Sequence, residues 1–410
     1  MPTIRVGTAS PAAGPTKAVT LSQLAGLARQ AASQAIDIFL LPEAYIGGYP
    51  RGTAFGCVIG ERTSEGREEF AQYFDDAVDL GDTVGDGAGA GDKWVKRELP
   101  GKGDANIRGD GTREELEKIA RETQVFIVTG LVEKAGGSLY CAVVYVCPEE
   151  GIIGKRRKVM PTGTERLIWA QGSPSTLRAV STTIRGTRVN LAAAICWENY
   201  MPVVRQALYA QNINLYLAPT ADARDAWLSL MRTVGIEGRC FVMSSNMAAR
   251  QDVSSSSHVR ASSRRSPAQS RMRRNSAITE DGFEIALPPP SPTRQKRRKS
   301  VLDDDGNEIV LCCDEENGTD KTADGRPAPR LDEGKTSSSW ASRGGSSIVN
   351  PYGDVVAGPQ WEDDKSIIYA DIDLRECIRG RLDIDTAGSY SRNDSFNFSV
   401  RGLDLDPLPY

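Results

Sequence analysis

The 410-residue chain holds a single histidine, His258, and it lies among serines and arginines in a stretch poor in apolar residues. That scarcity excludes whole classes of mechanism from the folded part. A Cys-His pair, a Ser-His-Asp triad and a histidine-held metal all need an imidazole, and none is available there. Long apolar runs are missing too: nowhere do about eighteen consecutive apolar residues occur, so no transmembrane helix is expected. The opening Met1-Pro2-Thr3-Ile4-Arg5-Val6 enters a short apolar strand without the charged start, apolar stretch and cleavage site of a secretory signal. The eight cysteines form no Cys-x-x-Cys pair. In a large chain without such a signal, this usage points to reduced thiols and a cytoplasmic protein. The formal net charge of -4 supplies no general attraction to nucleic acid or to an anionic membrane, which leaves a small soluble molecule as the expected partner.

What is present is an alternation of strand and helix patterns. Strands are predicted at 3–9, 36–41, 125–129, 139–146, around Ile152-Ile153, and at 181–195, 213–218, 240–245, 346–349 and 366–371. Leu21, Leu24, Leu27, Ala28, Ala31 and Ala35 recur at helical spacing behind a Thr20 cap. A second helix is predicted from Thr112, where Thr112 and Glu115 have capping-box spacing, and two more after Pro202 and over 225–236. Ala135-Gly136-Gly137 between two apolar runs predicts a hairpin. Together these give an α/β domain in which helices cover a mixed sheet.

Two stretches interrupt the pattern. Residues 81–111 are rich in Gly and Asp but lack a Gly-Lys-Ser/Thr ending, so they read as a surface loop and not as a phosphate cradle. Residues 251–340 carry Ser254 to Ser257 and Pro288 to Pro290, with basic residues gathered before Ser300 and acidic ones after it. Such segregated, aromatic-poor sequence is expected to form a disordered insertion in a single domain built from 1–250 and 341–410.

The reactive groups sit where predicted strands stop. The apolar run Val189 to Ile195 delivers Cys196 to a sharply polar Trp197-Glu198-Asn199; Glu43 follows the 36–41 strand; Lys158 and Glu165 follow the strand at Ile152-Ile153. Strands lying side by side bring such ends to one crevice. A free thiol with a pKa near 8.5 is only about 3% thiolate at pH 7, so a nucleophilic cysteine needs a base or a cation beside it. Lysine and glutamate together can supply both.

The runs Leu41-Pro42-Glu43-Ala44-Tyr45-Ile46-Gly47-Gly48-Tyr49-Pro50, Arg157-Lys158-Val159-Met160-Pro161-Thr162-Gly163-Thr164-Glu165-Arg166 and Cys196-Trp197-Glu198-Asn199-Tyr200-Met201-Pro202 resemble, in order, the catalytic segments of the nitrilase branch of the carbon-nitrogen hydrolases. Supporting similarity runs through Ala218-Pro219-Thr220-Ala221-Asp222 and Glu237-Gly238-Arg239-Cys240. The resemblance implies a four-layer αββα sandwich, catalysis by Glu43, Lys158 and Cys196 with Glu165 as a second glutamate, and no cofactor or metal. It further implies nitrile hydrolysis to acid and ammonia through a thioimidate. Tyr49, Trp197 and Tyr200 become candidate substrate-binding residues, and Asp222 and Arg239 candidate supports. Assembly into dimers or longer spirals through the helices at 202–211 and 225–236 is expected by the same analogy. One departure is Arg156, where the family often has histidine. Cyanide hydratases, amidases and carbamoylases share the Glu-Lys-Cys set, so that set does not choose among them. A non-catalytic scaffold working through the charged insertion is the alternative of another kind.

Overall fold

The computed structural model describes residues 3–251 and 340–410, except 86–87, 90, 102–107 and 223, together with four short strands between 276 and 312. Two sheets dominate the larger unit. The first runs in the order 367–372, 4–9, 38–40, 126–135, 138–147, 151–157, and its strands 4–9, 38–40 and 126–135 are parallel. The second runs 248–250, 340–349, 241–246, 215–220, 187–193, 180–184, with 355–361 also paired to 340–349. Its strands 187–193, 215–220 and 241–246 are again parallel.

Side-chain alternation along these strands produces the layering. Ile38, Leu40, Phe126 and Val128 of the first sheet meet Leu191, Ala193, Leu215, Leu217 and Met243 of the second in one apolar layer. Their neighbours point the other way. Phe39, Leu41, Ile127 and Val144 pack beneath Leu24, Ala28 and Ala31 of helix Lys17–Ser33 and Leu116 and Ile119 of helix Thr112–Thr123. On the far side Ala192, Tyr216, Ala218 and Val242 receive Val204 and Leu208 of helix Pro202–Tyr209 and Trp227, Met231 and Val234 of helix Ala226–Gly238. Near-continuous apolar strands buried on both faces between helices make the four layers αββα.

Several local expectations shift. The first helix begins at Lys17 because Thr16, not Thr20, caps it by accepting from the Val19 N–H; Thr20 lies inside the helix. Thr112 forms no capping box either: Gly111 is the N-cap, and Asp110 Oδ1 takes the Thr112 N–H at 3.0 Å. The hairpin at Gly136-Gly137 forms as expected, both glycines having positive φ (55° and 82°), the turn that suits twisted strands. The run 181–195 divides into a second hairpin, since Arg185 and Gly186 also take positive φ between Val180–Ile184 and Thr187–Ala193. The Gly/Asp-rich segment keeps Thr83 to Gly85 and Lys96 to Glu98 exposed, but two of its side chains turn inward. Its Trp94 is buried, with Nε1 donating to the Leu80 carbonyl at 2.8 Å, and its Asp82 accepts from buried Lys155 at 2.9 Å. Between 276 and 312, Ser276–Ile278 pairs with Glu284–Ala286 and Arg298–Leu302 with Glu308–Cys312. The rest of 252–339 lies outside the described residues.

The strand Gly151–Arg157 and the residue after it present four consecutive buried cations, Lys155 to Lys158, which alternate between two sets of carboxylates. Lys155 and Arg157 both pair with Glu133, Arg157 through Nε at 2.8 Å. Arg156 pairs with Glu198 at 2.7 Å, and Lys158 with Glu43 and Glu165. Burial alone would raise the Glu133 pKa, but its two cations hold it below the ordinary carboxylate range. A depressed folded-state pKa contributes stability above the unfolded value that is lost as pH falls through the folded one. Glu133→Gln is therefore expected to cost about 3 kcal/mol at neutral pH, because it leaves two buried cations to share the single carboxylate of Asp82. The difference from wild type should shrink in acid. Urea denaturation at pH 7 and at about pH 3 or below, under the ordinary carboxylate range, checks this, and an equal cost at both would contradict it.

Candidate active site

Glu43 leaves the strand 38–40 through Leu41 and Pro42 and is fully buried. It can approach the neighbouring strand because position 130 is glycine: a Cβ there would fall 2.3 Å from the Pro42 carbonyl oxygen and 2.7 Å from Glu43 Cα. Lys158 follows the strand 151–157 directly, its backbone N–H bonded to the Cys141 carbonyl at 2.7 Å. Its Nζ donates at 2.7 Å to Glu43 Oε1 and at 2.7 Å to Glu165 Oε2. Glu165 sits in the short helix Gly163–Leu167, where the same Oε2 accepts from the Thr162 N–H at 2.8 Å. Its Oε1 accepts from the Tyr49 hydroxyl at 3.0 Å.

Cys196 comes off the strand 187–193 into the short helix Cys196–Tyr200 with a φ of 52°, a left-handed conformation costly for a side-chain-bearing residue. A sharp turn of this kind at a strand end fixes the direction of a nucleophile, here toward the buried carboxylates. Its sulfur accepts from the Thr220 hydroxyl at 3.1 Å. Ligating atoms of Cys196, Glu43 and Glu165 all lie within 4.8 Å of one another. Such a trio could grip a cation, and the Lys158 ammonium, 2.7 Å from each carboxylate, already supplies one.

The protonation states follow from this packing. Burial, and then the Glu43 charge, push the Cys196 thiol well above its usual pKa, with Lys158 opposing. Burial works against the Lys158 ammonium, but Glu43, the sulfur and Glu165 hold its pKa well above the ordinary lysine value. Burial raises Glu43, and Lys158 only partly offsets that. The cluster thus rests as a neutral thiol beside an ammonium and a carboxylate more basic than usual, poised to exchange one proton.

Trp197 and Tyr200 stand at the rim. Trp197 Nε1 donates to Asp222 Oδ2 at 3.0 Å, the Arg224 guanidinium covers its ring at 4.3 Å, and Tyr200, 40% exposed, packs edge-on at 6.2 Å. Tyr49 packs edge-on against Trp169 at 5.6 Å. The two candidate supports separate: Asp222 holds the Trp197 and Arg224 side chains, whereas Arg239 bonds the Pro351 carbonyl at 2.8 Å and that of Ile384 at 3.3 Å, away from the sulfur.

Sequence reasoning assigned no role to four residues here. Glu198 is fully buried and ties the two reactive segments together: Oε2 accepts from the Ile195 N–H at 2.9 Å, while Oε1 accepts from the Val159 N–H at 2.6 Å and from Arg156 at 2.7 Å. An acidic residue two places beyond a buried thiol was the available signal. Arg156 completes the tie by donating to the Ala193 carbonyl at 2.7 Å, so the arginine at the family's histidine position has a defined partner. Cys141 lies 3.6 Å from Glu43 Oε1, and Thr220 touches the sulfur; the run around Thr220 carries part of the family resemblance, but nothing in the local sequence gives either residue a role.

The family model for the carbon-nitrogen hydrolases matches residues 5–381. Over 388 residues the chain is 34% identical to an arylacetonitrilase of Trametes versicolor, covering 93% of this chain and 90% of the relative. It is 33% identical over 391 residues to a bifunctional nitrilase/nitrile hydratase of Lupinus angustifolius, covering 95% and 83%. The Saccharomyces cerevisiae Nit3 structure, a member of the nitrilase superfamily, shares the fold with a TM-score of 0.54 at 13% identity, over 96% of this chain and 97% of that one. Four layers, a thiol at a strained strand end facing a lysine and two glutamates, and these similarities lead to one statement: the chain belongs to the carbon-nitrogen hydrolase family, in its nitrilase branch.

Proposed function

We propose that this protein hydrolyses an organic nitrile to the carboxylic acid and ammonia, with Cys196 as nucleophile, Glu43 as general base, Lys158 as the cation that stabilises developing charge, and Glu165 as its anchor. The observation that carries this reading is the Lys158 ammonium, bonded at 2.7 Å to each of two buried carboxylates within reach of the thiol. Glu43 accepts the thiol proton as sulfur attacks the nitrile carbon, and charge gathers on nitrogen, where Lys158 answers it. The resulting thioimidate takes up water activated by Glu43, ammonia leaves, and a second water frees the acid from the thioester. Tyr49, Trp197 and Tyr200 are assigned to the substrate pocket. A purely scaffolding chain would have no use for these ionisable groups buried against one another, an arrangement that costs stability unless chemistry requires it.

A second product deserves a place beside the acid, because the Lupinus angustifolius relative is named as both nitrilase and nitrile hydratase. Amide release would extend here if the adduct collapses before ammonia departs. A panel of aliphatic, aryl and arylaceto nitriles, amides and cyanide, with ammonia and amide both measured, tests the assignment. Ammonia from amides alone would replace nitrilase by amidase, and formamide from cyanide would indicate a cyanide hydratase.

The pH profile follows from Glu43. A base works only when deprotonated, so kcat/KM must fall as pH drops through its pKa, which burial raises above the ordinary carboxylate value. The acid limb is therefore expected clearly above pH 4.5, and a limb at or below pH 4 would remove Glu43 from the role of base.

A homo-oligomer built through the helices 202–209 and 226–238 fits the solvent-facing Val203 and Ile236 on them. Among the described residues no helix is long and apolar enough to cross a membrane. A cytoplasmic location is proposed from the unpaired thiols.

A further inference from the structure

We propose that Thr220 is a further catalytic residue, whose hydroxyl donates a hydrogen bond to the Cys196 sulfur and thereby favours release of sulfur, and so of amide, from the reaction intermediate. The inference rests on the nitrilase reading for its second half only.

Thr220 ends the strand 215–220, fully buried. That strand lies parallel to 187–193 with Leu217 opposite Ala193, so residues three further along, Thr220 and Cys196, meet beyond the strand ends. The hydroxyl oxygen lies 3.1 Å from Sγ, well inside the limit for a hydrogen bond to sulfur, and also 3.1 Å from the Asp222 backbone nitrogen. An amide N–H can only donate, so it occupies a lone pair on Thr220 Oγ1 and leaves the hydroxyl proton for the sulfur. The contact opposes the burial and the Glu43 charge that drive the thiol pKa up. The other ionisable groups facing the sulfur are Glu43, Glu165 and Lys158, with Tyr49 and Tyr200 also in its field; none hydrogen-bonds to Thr220.

A donor to sulfur matters most when sulfur carries charge, because a hydrogen bond to a charged atom is stronger than one to a neutral atom. This happens at attack and again at the branch point. Water addition to the thioimidate gives a carbon bonded to sulfur, hydroxyl and amino groups. In one branch the C–N bond breaks, nitrogen leaves as ammonia with a proton relayed from the hydroxyl through Glu43, and a thioester remains. In the other the C–S bond breaks with its electron pair on sulfur, the hydroxyl proton passes to Glu43, and amide departs. Thr220 stabilises the thiolate formed only in the second branch.

The test compares Thr220→Val, which keeps the shape and removes the donor, with Thr220→Ser, which keeps the donor. Alkylation of Cys196 by iodoacetamide is followed against pH by mass spectrometry, and products are measured on whichever panel nitrile gives most amide. For Thr220→Val the thiol titration is expected to rise by about one unit, with roughly tenfold losses in kcat/KM and in the amide-to-acid ratio. Thr220→Ser should move back toward wild type on all three, which a packing role would not require. An unshifted alkylation profile, or an amide-to-acid ratio that holds or rises, overturns the proposal, as does a wild-type enzyme giving no amide from any nitrile. A wild type that turns over no nitrile at all overturns the nitrilase reading instead, and alkylation then decides the sulfur contact alone.

Discussion

Cys196→Ala is expected to abolish ammonia release from every nitrile, a loss of at least about 10^4-fold in kcat, because no covalent adduct can form and the remaining groups hold no other nucleophile in the thiol's place. The fold should survive. The substitution trims one small buried side chain next to Ala194 and Ile195, and the strained turn at φ 52° is held by Glu198 and Asn199 contacts that do not involve sulfur: Asn199 Nδ2 donates to the Ala194 carbonyl at 2.9 Å and to that of Cys196 at 2.7 Å. Circular dichroism and urea titration should show a cost of no more than about 1–2 kcal/mol. Turnover persisting in this variant would end the assignment of Cys196 as the nucleophile. Cys141, near Glu43 but not placed at a strained strand end, would not rescue it.

Lys158→Met carries the other large effect, and it falls on stability and activity together. The ammonium is the shared partner of two carboxylates, both buried, so its removal leaves Glu43 and Glu165 facing each other uncompensated. Breaking a buried ion pair by deleting one side costs about 3–5 kcal/mol. With the opposing cation gone, the burial and the like charge that already raise Glu43 act unchecked, and it should take up a proton at neutral pH. The variant is therefore expected to be destabilised at pH 7 and to regain part of that stability in mild acid, because the proton that the folded state holds on Glu43 costs less as pH falls toward the ordinary carboxylate value of the unfolded chain. Activity should fall by more than about 10^3-fold, since the base is neutralised and the charge on nitrogen loses its counter-ion. Thermal denaturation as a function of pH separates these. A variant as stable as wild type at neutral pH would mean that the two carboxylates do not depend on Lys158.

Much of this was legible without coordinates, for reasons that can be traced to particular residues. Alternation along Ile38-Phe39-Leu40-Leu41 and Leu215-Tyr216-Leu217-Ala218 marks strands buried on both faces, and helical spacing from Leu21 to Ala31 marks a covering helix. Element edges were less legible. Thr16 and Thr20 are equally good caps by type, and only the backbone path shows that the Val19 N–H reaches Thr16. Arg185-Gly186 lies within an otherwise strand-like run, so the hairpin there depends on both residues adopting positive φ. Composition marked the Gly/Asp-rich stretch as a loop but could not show that two of its side chains, Asp82 and Trp94, pack on Lys155.

At the site, Glu43, Lys158, Glu165 and Cys196 were already singled out, because each alone at a strand end is commonly structural or solvated but together they fall in three extended runs. What the chain order could not express is distance across the fold. Glu43 and Lys158 are 115 residues apart and 2.7 Å from each other; Thr220 and Cys196 are 24 apart and 3.1 Å from each other. Protonation states, the Glu198 tie between the two reactive segments and the donor aimed at sulfur all arise from burial and from through-space charge, which weaken or vanish in the unfolded, solvated chain. Local pattern specified the strands and supplied the reactive groups, because periodicity and side-chain chemistry are carried by neighbouring residues. Which group faces which, and in what ionic state, was decided by the pairing of strands that bring their ends together and bury the four side chains against one another.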